Sequence, residues 1–167
     1  MMEQLDLLSV WLKTTGLSHF VNHYAWVWPI CEIVHFIGLA MLVGMIGMLD
    51  LRMLGVAKQL PVKPLNQFVK IGAAGFVLNI ATGVMFYAGN PDQYAHNTAF
   101  GWKMLFVTLA GVNVALFYVT GLFRKVEALS PGDDAPTGAK VIAATSLFCW
   151  AGVMYMGRML PYIGDAF

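Results

Sequence analysis

The sequence predicts an all-α integral membrane protein, a four-helix bundle with a short N-terminal interfacial helix, in a single domain over residues 1–167. Three observations carry that expectation. Of the 167 residues, 59% are hydrophobic and only 11% charged, against about 25% charged in ordinary soluble domains. The mean hydropathy is +0.68, which would leave a water-soluble fold with more apolar surface than it can cover, whereas lipid accepts that surface. The apolar residues also collect into four segments long enough to cross a bilayer. The net charge of +1 provides no basic field for nucleic acid and no acidic tail for a cationic partner.

The segment 1–17 carries Glu3, Asp6 and Lys13. It lacks the basic start and small-residue cleavage site of a signal peptide, so it is expected to stay in the mature chain. Leu5, Leu8, Trp11 and Leu12 recur at helical spacing, the pattern of a short helix on the membrane surface.

A spanning helix needs about 20 mostly apolar residues, because the hydrocarbon layer is ~30 Å thick and a helix rises ~1.5 Å per residue. The first predicted span, 26–49, has Pro29 near its first turn and is closed by Asp50 and Arg52. The second, 68–88, lies between the Pro61/Pro64 linker and the turn signal Gly89-Asn90-Pro91. The third, 101–123, ends at Arg124 and Lys125, and the fourth, 141–159, follows a Pro/Gly/Asp loop and precedes Pro161. Ala40 with Gly44, and Gly111 with Ala115, have the small-residue spacing that lets membrane helices approach. Such faces also make a homo-oligomer compatible with the sequence. Cys31 and Cys149 fall inside apolar segments without CxxC spacing, as packing residues do.

Arg52, Lys58, Lys63 and Lys70 flank the first connection, and Arg124, Lys125 and Lys140 flank the third. The opposite side holds Lys13, Lys103 and Arg158. The positive-inside rule then turns both termini outward, to the periplasmic side of a bacterial inner membrane. Trp26, Trp28, Tyr87, Tyr94, Trp102, Tyr155 and Tyr162 gather near the same side, as an aromatic belt would.

Ionisable groups inside a span cost about 2.5–3.5 kcal/mol at its centre on insertion scales, so each needs a partner or a purpose. Glu32 and His35 share one face of the first span, with His35 ~13 Å below its outer end. Lys103 and Arg158 stand nearer the outer surface, where long basic side chains snorkel or hold an anion. A neutral imidazole beneath two cations suits a haem, with His35 on the iron and the propionates against Lys103 and Arg158. A second axial ligand is open between His23, His96, Lys103 and none. Glu32 would act as proton relay or orient the imidazole. His19 and His23, four residues apart, would with His96 make a copper or zinc site at the surface. Met41, Met45 and Met48 repeat along the first span as core methionines do. Asn79 and Asn113 fall mid-span, placed for interhelical hydrogen bonds or a quinone carbonyl. The alternative for Glu32 and His35 is a hydrogen-bonded pair that orients helices, in a non-catalytic membrane subunit or assembly factor.

The stretch Trp28-Pro29-Ile30-Cys31-Glu32-Ile33-Val34-His35-Phe36-Ile37-Gly38, followed by Asp50-Leu51-Arg52-Met53-Leu54-Gly55, resembles an uncharacterised family of bacterial four-helix membrane proteins over most of the chain. His35, the Thr82-Gly83 pair and Trp102-Lys103 are more distantly similar to HemJ-type protoporphyrinogen oxidases and CopD-type copper-resistance membrane domains. The first of these resemblances implies haem b on His35, with Lys103 important for activity. Asn113 stands where another histidine would be expected, so the resemblance reaches haem binding rather than porphyrinogen oxidation. The function expected is electron transfer or quinone-linked redox chemistry with a periplasmic partner, by a haem-dependent oxidoreductase if the chain turns over a substrate.

Overall fold

The computed structural model describes residues 2–163, without the side chains of residues 2–5 and 63–66. The side chains of Glu3, Leu5, Lys63 and Pro64, all used above, therefore lie outside the described residues. Every regular element among the described residues is helical: α1 (Met2–Lys13), α2 (Gly16–His23), α3 (Val27–Leu54), α4 (Val62–Gly89), α5 (Pro91–Ala95), α6 (Thr98–Val119), α7 (Leu122–Glu127) and α8 (Thr137–Met159). Four are long and apolar enough to cross a membrane: Val27–Leu54, Gln67–Gly89, Thr98–Val119 and Thr137–Met159. Only 17–28% of the most apolar stretch of each is buried within the molecule. The remaining faces, with Ile33 and Phe36 on α3 and Val77 and Val84 on α4, are exposed and suit lipid, since water would not tolerate so wide an apolar perimeter.

Local chemistry sets the helix ends. Thr15 Oγ1 accepts from the Ser18 N–H to start α2, and Asn97 Oδ1 accepts from Ala99 and Phe100 to start α6. The first span runs further than residue 49, because nothing stops it before Gly55, whose φ of 92° closes α3 with Gly55 N–H on Arg52 O and Val56 N–H on Leu51 O. The third span is shorter than expected. Gly121, at φ 71°, separates α6 from the short α7, so Leu122 and Phe123 leave the spanning helix.

The bundle is built from two helix pairs. α3 packs most extensively on α4 and α6 on α8, and α3 against α8 joins the pairs, while α4 and α6 scarcely meet along their length. Backbones come closest where α3 crosses α4: a Cβ added at Gly75 would lie 2.5 Å from Gly38 O, and one at Gly38 would lie 2.8 Å from Gly75 O. Gly38 and Gly75 thus supply the small-residue contact. Gly44 and Gly111, with no atom within 4 Å of an added Cβ, face outward instead.

A buried apolar cluster of Leu49, Met53, Val62, Phe117 and Ala139 fills the end away from the termini. A smaller one, of Val21, Val27 and Cys31, lies under α2. Asn97 Nδ2 donates to Leu160 O at 3.0 Å and Ile163 O at 2.7 Å, tying the start of α6 to the turn after α8. Lys13 pairs with Asp92, and His96 Nε2 lies 3.1 Å from Asp6 Oδ1, so α1 is clasped to α5 at that end. Leu7, Val10 and Trp11 on α1 remain exposed, as expected of a helix lying on a membrane surface.

Candidate functional site

α3 carries the central group. His35 is half-buried toward α4, where its Nδ1 lies 2.7 Å from Thr82 Oγ1 and its ring centroid 5.6 Å from that of Phe86. Thr82 is buried, and its hydroxyl also lies 2.8 Å from Leu78 O and 3.3 Å from Asn79 O. A hydroxyl has one hydrogen to give, and in a helix it can go to the carbonyl four residues back. With the hydroxyl hydrogen on Leu78 O, Nδ1 of His35 is the donor to Thr82 and Nε2 carries the lone pair; with that hydrogen on Nδ1, the two ring nitrogens exchange roles.

Lys103 of α6 is half-buried beside α8, and a Cβ added at Gly157 would meet its Nζ at 3.7 Å. Its ammonium lies within electrostatic range of His35. Glu32 and His35 do not bond each other. Trp28 Nε1 donates to Glu32 Oε1 at 3.2 Å, and Glu32 is exposed toward α5. There, burial first and the Glu32 carboxylate second push the Tyr94 phenol above its ordinary range. Tyr94 stacks with Tyr87 and Phe100, where α4 and α6 approach at the mouth.

No known protein family, curated protein or solved structure matches this chain. Its chemistry must be read from its own side chains.

The remaining candidates lie apart from His35. Arg158 is exposed, with its guanidinium carbon over the Tyr162 ring at 5.7 Å from the centroid. His96 is engaged with Asp6. His19 and His23 are exposed on α2 beside an open groove of about 430 Å³ shared with Gly16, Phe20 and Tyr24. Among the described residues no three His, Cys, Asp or Glu side chains come together as a metal site, so His19, His23 and His96 are not assembled as a trio. Asn113 Nδ2 bonds Ile142 O at 2.9 Å across α6 and α8, whereas Asn79 Nδ2 bonds Gly75 O within its own helix.

Two polar groups gain roles that sequence spacing did not mark. Thr82 is the partner of His35; its depth on the second span, level with His35 on the first, was the available signal. Arg52 is fully buried and donates to three backbone carbonyls, Leu60 (2.8 Å), Ser130 (3.0 Å) and Asp133 (3.1 Å), locking both loops at the end away from the termini. Asp50, two residues earlier, is buried against Ser146 of α8.

Proposed function

We propose that this chain is a haem-b membrane protein of the bacterial inner membrane, serving electron transfer or quinone-linked redox chemistry on the periplasmic side. The observation that supports the reading is the His35–Thr82 contact at 2.7 Å: in the tautomer in which Nδ1 donates to the hydroxyl, Nε2 is a nitrogen base within the bundle, the form in which histidine holds iron. Three further features support the reading. Phe86 provides an aromatic wall, Lys103 a cation for a propionate, and the loose α4–α6 seam provides access. Haem, when bound, would supply one-electron chemistry. The chain's part is to orient His35 through Thr82, hold an anionic group with Lys103 and offer Glu32 as a proton acceptor at the mouth. His35 serves as the sole protein ligand in this reading, because His96 and His23 are placed elsewhere.

The visible spectrum of detergent-purified protein from haem-replete cells tests it. A Soret band is expected, lost in His35→Ala and weakened in Lys103→Ala. A colourless, folded wild-type preparation removes the haem reading. It would favour a non-catalytic membrane subunit in which the His35–Thr82 bond serves to lock α3 on α4, a role its interhelical geometry also fits. A copper-handling role for His19 and His23 is the other outcome, read by metal analysis of the same preparation.

A further inference from the structure

We propose that Asp50 is a proton-binding site built into the half of the bundle away from the chain termini. Its residue is 2% exposed. The Ser146 hydroxyl of α8 bonds the carboxyl, and Oδ2 has no hydrogen-bond partner among the described residues. The surroundings are apolar: Leu49 and Met53 on α3, and Ala143 one turn before Ser146, are all buried.

The charged and titratable groups nearby are accounted for. Arg52, on the same helix, is spent on the carbonyls of Leu60, Ser130 and Asp133. On α8, Lys140 pairs with Asp134 at 2.9 Å, and Cys149 is a buried thiol one turn beyond Ser146. On α4, Lys70 is exposed. No charged side chain among the described residues is found to act on Asp50.

A buried carboxylate is held ionised by a cation or by two or three donors, and this one has a single hydroxyl. A hard cation gathers about six oxygens, which Asp50 and Ser146 do not supply. A proton needs one lone pair, and Oδ2 offers it. The exchange is simple: the carboxylate takes H⁺ at Oδ2 and becomes the neutral acid, with Ser146 donating to Oδ1, and releases the same proton when the site empties. Asp50 lies fifteen residues from His35, ~22 Å along α3, so the site does not depend on haem and stands or falls separately from it.

Infrared spectroscopy of the full chain in detergent or lipid, with heavy carbon in the aspartate carboxyls, tests the proposal. One labelled protonated-acid C=O band is expected at neutral pH, shifted in heavy water, absent in Asp50→Asn, and moved in frequency but retained in Ser146→Ala. Asp6, Asp92, Asp133 and Asp134 are exposed and are expected among the carboxylate bands; Asp165, outside the described residues, is told apart by the Asp50→Asn spectrum. Should Asp50→Asn fail to fold, the Ser146→Ala frequency shift assigns the band. Labelled aspartates that are all carboxylate at neutral pH, or a protonated band indifferent to both substitutions, would overturn the assignment.

Discussion

His35 and Thr82 face each other across α3 and α4 with Nδ1 and Oγ1 2.7 Å apart, while the threonine hydroxyl reaches back to Leu78 O at 2.8 Å. The chain of two hydrogen bonds orients the imidazole before any ligand arrives. Thr82→Val keeps the shape and removes the hydroxyl, leaving the His35 Nδ1 that faced it unmatched at about 1–3 kcal/mol. Stability in a denaturation series should fall by that amount, and haem retention, if haem is bound, by about 10–100-fold. Thr82→Ser is expected to restore both. A Thr82→Val protein as stable as wild type would show that the contact orients nothing.

The Gly38–Gly75 crossing separates the glycines that matter from those that do not. A Cβ at Gly75 would sit 2.5 Å from Gly38 O and 2.8 Å from Met41 Cβ, so Gly75→Ala must push α4 off α3, at about 1–3 kcal/mol for overpacking. Gly44→Ala meets no atom within 4 Å and is expected to be neutral or mildly stabilising. Equal losses from the two in an unfolding titration would contradict this crossing.

Arg52 is completely buried yet has no carboxylate partner among the described residues; its guanidinium serves Leu60, Ser130 and Asp133 carbonyls from two loops. Removing it as Arg52→Met should cost about 2–4 kcal/mol, since hydrogen bonds to charged groups are worth about 1.5–3 kcal/mol each and water at the loops recovers part. Arg52→Lys, with a compact ammonium in place of the fork, should recover only a fraction. Thermal unfolding of the three proteins gives the order.

Tyr94 gives a pH signature. Its folded value is raised, by burial and then by Glu32, so its contribution to stability is fully present below the unfolded phenol's range and is lost as pH rises through the folded value. Alkaline titration by tyrosinate absorbance should show one late phenol that Tyr94→Phe removes. Glu32→Gln should bring that phenol part of the way back, because burial is the larger cause. No change in Glu32→Gln would separate the two residues.

The spans were legible because hydropathy and length act through the whole helix, and lipid allows no competing solution. Their ends were less so. α3 runs past residue 49 because Asp50 and Arg52, expected to close the span, are buried within the helix by contacts with Ser146 and with two distant loops. His35 was legible as a costly side chain in hydrocarbon, but its partner was not: Glu32, the neighbour by helical spacing, turns to Trp28, while Thr82 arrives from another helix 47 residues away. Likewise Gly44 and Gly111 have the same local spacing as useful packing glycines, and only the arrangement of neighbouring helices sends them outward. Spacing reports faces, and the partner of a face is a tertiary fact.

The α3–α8 contact has a mechanical meaning. With α3 seated on α4, α6 on α8, and α4 touching α6 where Tyr87 meets Phe100 at the mouth, the molecule resembles a book with covers joined along the α3–α8 spine. Asp50 and Ser146 lie in that spine, while His35 and Lys103 are printed on opposite covers. A group that bridged those two side chains would tie the two covers together a second time, and thermal unfolding of the loaded protein would read that tie as a raised midpoint.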